Sequence, residues 1–221
     1  VKLLFIGSTH FSLRCLEALN QHDSGVELSG IITAGQTFRS HTGRVVNNVR
    51  FEDLKDYATK YSVPFYRIQK DMNELPLQKF IDSIECEFGL CVGWYHRVPN
   101  WLLERVKIAG LHASLLPDYS GGSPLVWAMI NGEKKTGISL FLFTDQMDAG
   151  DIIGQREIEI LDEDDIRTLY SKVEVLGCEL IQEFLPRIAD GSATYQKQDK
   201  LKRRTFPLRH PEDGLIDWTW E

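Results

Sequence analysis

An open, mostly parallel α/β sheet of Rossmann-like type, with helices on both faces and a short C-terminal extension, is the fold class this sequence predicts. Two observations carry the prediction. The first half of the chain alternates short apolar runs with segments of helical period, the pattern of parallel strands joined by right-handed crossovers. In its middle, Phe88-Gly89-Leu90-Cys91-Val92-Gly93 reads as a buried central strand, with no polar face to turn to water. A chain of 221 residues can bury a substantial core. The expected organisation is one main domain over residues 1–190, with an extension over 191–221 packed on it.

The elements follow in order. Lys2 to Ile6 forms the first strand. Ser12 can cap a helix carrying Leu13, Leu16 and Leu19 on one face, and Val26 to Ile32 supplies a second strand. Glycines and polar residues from Gly35 to Asn48 break all periodicity, which predicts a long loop able to close over a ligand. Helical patterns recur at Phe51 to Tyr61 and Leu75 to Ile84, and Pro99 opens another through Arg105. Ile108 to Leu111 reads as a short strand whose end delivers His112, and ligand sites in such sheets lie at the carboxyl ends of strands. Pro124 suits a helix first turn, Val126 to Ile130 continue it, and Asn131-Gly132 stop it. Thr136 to Phe143 alternates as a strand, Asp145 to Gly150 turns, and Asp151 to Ile160 resumes extended structure. Acidic residues from Asp162 to Asp165 open a long helix ending near Asp190-Gly191, in keeping with the helix macrodipole.

Composition removes several function classes. Hydrophobic residues at 43% and charged residues at 26% exclude a disordered chain. No apolar run reaches the length of a membrane span. The opening Val1-Lys2-Leu3-Leu4-Phe5-Ile6 is too short for the apolar core of a signal peptide. Cys15, Cys86, Cys91 and Cys178 show no Cys-x-x-Cys spacing and read as reduced, packed thiols of a cytoplasmic protein. A formal charge of −7 argues against an extended nucleic-acid interface, and the local basic cluster Lys197 to Arg204 reads as a solvated face. The six histidines are scattered without ligand spacing, so no metal is expected. Gly7-Ser8-Thr9-His10 lacks the second glycine of a dinucleotide-binding turn, which argues against a nicotinamide cofactor.

The densest chemical signal lies between Leu111 and Asp151. Leu111-His112-Ala113-Ser114-Leu115-Leu116-Pro117 is followed by Gly121-Gly122-Ser123-Pro124, and then by Met147-Asp148-Ala149-Gly150-Asp151. A histidine leaving a strand and an aspartate in a later turn are thereby directed toward one site. This constellation closely resembles the signature of the 10-formyltetrahydrofolate-dependent formyltransferases, the catalytic domain of the methionyl-tRNA formyltransferases included. The chain departs from the family pattern at two positions, with Gly110 where the family has its catalytic Asn and Ser120 where it has Arg. Arg209-His210-Pro211-Glu212-Asp213-Gly214-Leu215-Ile216-Asp217-Trp218 resembles a second family segment, so the resemblance runs from about Lys2 to Trp218.

The resemblance implies formyl transfer from 10-formyltetrahydrofolate to a primary amine, with His112 and Asp148 catalytic. Such a transfer passes through a tetrahedral carbon bearing an oxyanion. His112 would donate to that oxygen, and Asp148 would fix and charge the imidazole and relay protons from the amine toward the departing folate nitrogen. Loss of the family's amide at Gly110 removes an oxyanion donor, typically worth about a hundred- to a thousandfold in rate. Glycine leaves room for a water or a neighbouring donor, with Ser114 and Tyr95 as candidates by position. The resemblance also places Val92, Gly93, Trp94, Tyr95, Asp145 and Asp148 beside the folate. Ser8, Thr9, His10 and Trp127 are the acceptor candidates; the turn at Ser8-Thr9-His10 equally reads as a tight turn without further role. Family members acting on initiator tRNA carry an additional C-terminal domain, for which the chain leaves no room after Glu221. The expected acceptor is therefore a nucleotide-linked amino sugar, as in the sugar N-formyltransferases. Small-molecule partners, no membrane, no extended nucleic acid and an undecided oligomeric state with room for a homodimer complete the expectation. A folate-binding regulatory protein and a 10-formyltetrahydrofolate hydrolase are the rival readings.

Overall fold

Strand β1 (Lys2–Gly7) is buried on both faces from Leu3 onward, because it lies inside a seven-stranded sheet. The computed structural model describes residues 1–20, 25–39, 43 and 45–219. Helix α1 (His10–Asn20) follows β1 and is capped reciprocally: Thr9 Oγ1 accepts from the Ser12 amide at 3.2 Å, and Ser12 Oγ accepts from the Thr9 amide at 3.1 Å. Thr9 is therefore the capping residue, and Ser12, expected there, is its partner within the first turn. β2 (Glu27–Thr33) comes next.

The stretch Gly35 to Asn48, expected as a loop, instead contains an antiparallel pair, β3 (Thr37–Arg39) and β4 (Val45–Asn47). Residues 40, 41, 42 and 44 of that stretch lie outside the described residues. The ladder gives these polar residues backbone partners, and Phe38 packs its ring 4.6 Å from that of His96. α2 (Lys55–Lys60) is shorter than its periodicity suggested, and the three-residue β5 (Phe65–Arg67), which the sequence did not reveal, extends the sheet beside β2. α3 (Leu75–Ser83), β6 (Phe88–Val92), α4 (Asn100–Leu103) and β7 (Lys107–His112) then alternate. After a two-residue strand β8 (Ser120–Gly121) come α5 (Pro124–Ile130), β9 (Lys135–Leu142), β10 (Ile152–Glu159) and the long α6 (Ile166–Ala189). Asp165 starts α6 by accepting from the amides of Arg167 and Thr168 at 2.8 and 2.9 Å. The extension carries one short strand, β11 (Thr205–Phe206), between two turns of 3₁₀ helix.

The sheet order is β10-β9-β7-β6-β1-β2-β5. Every pair is parallel except those made by β9, which is antiparallel to both neighbours. This is the Rossmann-like α/β fold that the sequence predicts. One face is covered by α1 and α6, through a core that includes Leu3, Phe5, Leu16, Ile31, Leu140 and Leu180. The other is covered by α3 and α4, through Leu4, Ile6, Leu77, Ile81, Leu102 and Ile108. Alternate residues of β1 thus serve opposite layers, and each such leucine or phenylalanine contributes about 2 kcal/mol by leaving water. The chain winds to opposite sides from β1, to β2 on one flank and β6 on the other. The crevice at the carboxyl ends of these strands is where open α/β sheets hold ligands.

Candidate active site

His112 ends β7, and two contacts fix its ring. Nε2 lies 2.8 Å from the carbonyl oxygen of Tyr119, an acceptor, so Nε2 carries the proton and Nδ1 is left facing inward. Nδ1 is 3.8 Å from Oδ2 of Asp148, and both side chains are nearly buried. Asp148 is fixed in turn, because its Oδ2 accepts from the Gly121 amide at 2.8 Å. The 3.8 Å gap is wider than a hydrogen bond, so the imidazole and carboxylate face each other without a direct bond.

The backbone around this pair is strained. Four non-glycine residues have positive φ among the described residues; two of them, Tyr119 (53°) and Asp148 (51°), contact His112, and a third, Ser123 (51°), lies two residues after the Gly121 amide that binds Asp148. Each such conformation costs on the order of 1–3 kcal/mol and persists only where the surroundings enforce it. Gly121, with φ of 94°, has no alternative residue. A Cβ there would fall 2.3 Å from the carbonyl oxygen of Phe206, the strand that pairs with β8.

The other sequence-predicted residues are dispersed around this centre. Gly110 shares a face of β7 with His112, two residues away, and a Cβ on it would lie 2.3 Å from Cε1 and 2.4 Å from Cζ of Phe143. The room expected beside Gly110 is therefore filled by an aromatic ring, which offers no hydrogen-bond donor. Ser114 is buried, and its hydroxyl donates to the carbonyl of Asp118 at 2.7 Å, so its proton is engaged away from the pair. Tyr95 is 52% exposed and its ring faces Phe38 at 5.8 Å. Val92 ends β6 and Gly93 follows it, Trp94 donates to Met72 Sδ at 3.3 Å, and Asp145 holds Arg97 through its carbonyl at 3.0 Å. Ser8 and Thr9 are buried in the turn after β1, whereas His10 is exposed beside Glu52. Trp127 donates to the carbonyl of Pro207 at 2.8 Å and so binds the extension directly.

Sequence reasoning missed the contribution of the extension. β11 pairs with β8, and Phe206 stacks on Tyr119 at 4.6 Å and 7°. Arg204 grips Asp118 and Glu133, and Glu133 also accepts from the Tyr119 hydroxyl at 2.6 Å. Burial and this carboxylate push the Tyr119 phenol above its ordinary range. Gln198 donates to the carbonyls of Asp148 and Gly150. The basic run Lys197 to Arg204 that carries Gln198 and Arg204 offers no periodicity, so its partners became visible only in three dimensions. Among the described residues no group of histidine, cysteine and carboxylate side chains could hold a metal ion, and no helix is long and apolar enough to cross a membrane.

Comparison with known proteins gives the family and the fold. A family model described as formyl transferase matches residues 1–185. A methionyl-tRNA formyltransferase of Streptococcus gordonii is 33% identical over 218 residues, 98% of this chain and 68% of that protein. In solved structures, the N-formyltransferase of Helicobacter canadensis in complex with folinic acid and dTDP-3-aminofucose superposes with a TM-score of 0.69 at 20% identity, covering 94% of this chain and 71% of that one. Phosphoribosylglycinamide formyltransferase of Bacillus halodurans gives 0.70 at 19% identity, over 85% of this chain and 95% of that one. With the family model spanning most of the sheet and both residues of the His112–Asp148 pair, the chain belongs to the formyl transferase family and is a transferase of that class.

Proposed function

We propose that this protein transfers the formyl group of 10-formyltetrahydrofolate to the amino group of a nucleotide-linked amino sugar, with His112 and Asp148 as the catalytic pair. The observation that carries the reading is the fixed orientation of His112. Its Nε2 is committed to the Tyr119 carbonyl, which leaves Nδ1 to face the Asp148 carboxylate and the reacting atoms. The amine nitrogen attacks the formyl carbon, a carbon–nitrogen bond forms and the carbonyl oxygen becomes an oxyanion. Protonated Nδ1 donates to that oxygen, and the Asp148 carboxylate offsets the imidazolium charge. Collapse breaks the bond to the folate nitrogen, which takes the proton given up by the amine, with Asp148 as the relay.

The donor fits the chain's own groups. The pterin would lie between the end of β6, Val92 to Tyr95, and the turn at Asp145, where Arg97 already joins the two segments. The Phe143 ring, packed against Gly110, offers shape rather than a hydrogen bond on that side, and would exclude water from a formyl carbon held there. Excluding water favours transfer to an amine over hydrolysis.

Support for the amino-sugar acceptor comes from the relative of the same fold bound to dTDP-3-aminofucose, and the acidic charge of the chain weighs against an extended nucleic-acid interface. A second reading has its own observation: the relative from Streptococcus gordonii, at 33% identity, is a methionyl-tRNA formyltransferase. This chain spans 68% of that protein's length, so its own length does not weigh against a tRNA acceptor. One assay separates the readings, namely release of tetrahydrofolate from 10-formyltetrahydrofolate with a panel of nucleotide-linked amino sugars, with methionyl-tRNA and with no acceptor. Turnover dependent on an amino sugar is the expected result. Turnover with methionyl-tRNA alone replaces the acceptor. Acceptor-free release of formate would make the protein a hydrolase, and folate binding without turnover would make it a binding protein.

A further inference from the structure

We propose that Gln198, in the C-terminal extension, is a positioning residue that holds Asp148 in its working orientation; the proposal rests on the formyl-transfer reading of the His112–Asp148 pair. Asp148 sits in a left-handed conformation at φ 51°, where a residue with a side chain stays only if its neighbours hold it. The turn from Thr144 to Gly150 does little of that holding itself. Its internal hydrogen bonds are local ones, from Thr144 Oγ1 to the carbonyl of Gln146 at 2.9 Å and from the Gln146 amide to Asp145 Oδ1 at 2.9 Å. The carbonyls of Asp145, Met147, Asp148 and Gly150 all accept from side chains outside the turn: Arg97 at 3.0 Å for Asp145, Arg203 for Met147, and Gln198 for Asp148 and Gly150.

Gln198 acts on the peptide that matters. Nε2 donates to the Asp148 carbonyl at 3.0 Å and to the Gly150 carbonyl at 2.7 Å, which uses both of its N–H groups. The Asp148 carbonyl belongs to the peptide plane that follows Asp148, so fixing it fixes the rotation of the backbone from which the carboxylate projects. Oε1 of the same amide is buried with no donor among the described residues, a cost offset by the two donated bonds. Gln198 is placed by main-chain geometry rather than by chance contact. Two residues earlier, Gln196 and Ile152 exchange both backbone hydrogen bonds at 2.8 Å and anchor the extension to the first residue of β10. The site face of the turn is thus held by the Gly121 amide on the carboxylate, and its outer face by Gln198 on the backbone.

Gln198→Met tests this, because it keeps the length and volume of the side chain and removes both donors. Gln198→Ala serves as a second variant that also removes the volume. In Gln198→Met, kcat should fall about tenfold or more while KM for 10-formyltetrahydrofolate stays within about threefold, since the loss is in alignment rather than in folate contacts. Side-chain ¹⁵N signals of His112, assigned by their loss in His112→Ala, should shift as the carboxylate moves, and this readout needs no turnover. Unchanged kcat and unchanged His112 signals in Gln198→Met would overturn the proposal, as would a loss restricted to Gln198→Ala, which would make the residue space-filling. If the wild-type protein transfers no formyl group to any acceptor, the reading of the site fails, and the His112 signals still decide whether Gln198 positions Asp148.

Discussion

Two imidazoles stand at or just past the carboxyl ends of adjacent strands of the same sheet, and their surroundings are opposite. His112, at the end of β7, has a carbonyl on one nitrogen and a carboxylate facing the other. His96, past the end of β6, lies among rings, 4.6 Å from Phe38 and 5.3 Å from Trp94, and its buried Nε2 has no hydrogen-bond partner among the described residues. Burial pushes the His96 imidazole below its ordinary value, against the opposing charge of Asp71. Histidine in a crevice is thus not a signal of catalysis in itself. What separates the two is that the chain supplies His112 with acceptors on strained, externally braced turns and supplies His96 with apolar walls.

The comparison breaks most visibly at the pair itself. His112→Ala and Asp148→Ala should each lower kcat/KM for formyl transfer by about a thousandfold or more, because one removes the donor and the other its counter-charge. The double variant should be little worse than either single one, since the two act in one step. Rates measured on all three proteins check this, and multiplicative losses would show that they serve separate steps. His96→Phe in the same assay should stay close to wild type.

A smaller effect sharpens the apolar side of the site. Gly110→Asn forces a side chain into the Phe143 ring, so alone it should destabilise the fold by about 1–3 kcal/mol and reduce turnover. Combined with Phe143→Ala, the new amide has space beside His112, and the pair should be less destabilising than the sum of its parts. Denaturant unfolding of the four proteins measures the coupling. If the combined variant also gains turnover over Phe143→Ala, an oxyanion donor at position 110 has been restored. Additive stabilities would mean that Gly110 and Phe143 are not in contact in solution.

Much of this was legible in the sequence, for reasons that differ by region. The parallel strands announce themselves because β1 and β6 are apolar on both faces, and helix starts such as Asp165 and Pro124 are local chemistry. His112 and Asp148 were singled out because the motifs that carry them, one at a strand end and one in a turn, resemble a family signature in order and spacing. Other features are tertiary. β5 is three residues long, too short for a period to show, and so are β3 (Thr37–Arg39) and β4 (Val45–Asn47), which gain their order only by pairing. The ring of Phe143 against Gly110 could not be read from either residue, because the two approach only when β7 and β9 are aligned. Gln198, Arg204 and Phe206 were hidden for the same reason, as residues of an irregular segment whose partners lie about fifty or more positions earlier.

The smallest effect concerns His96 and follows from the sign of its shift. Because the folded site holds this base below its ordinary value, the unfolded chain takes up a proton at His96 more readily than the folded chain does. His96 should therefore add nothing to the pH dependence of stability well above about pH 6.5, and should lower stability as the pH falls through that value. His96→Phe keeps the contacts with Phe38 and Trp94 while removing the proton site, so its melting temperature should fall less steeply between about pH 7 and 5 than that of the wild type. The remaining five histidines are common to both proteins and cancel in the difference. Asp71 is the charged group that opposes the shift, so Asp71→Asn should make the wild-type slope steeper. Thermal unfolding of the three proteins across this range checks the argument. Parallel curves for wild type and His96→Phe would mean that His96 is solvated in solution, and the contrast with His112 would then rest on partners alone and not on burial.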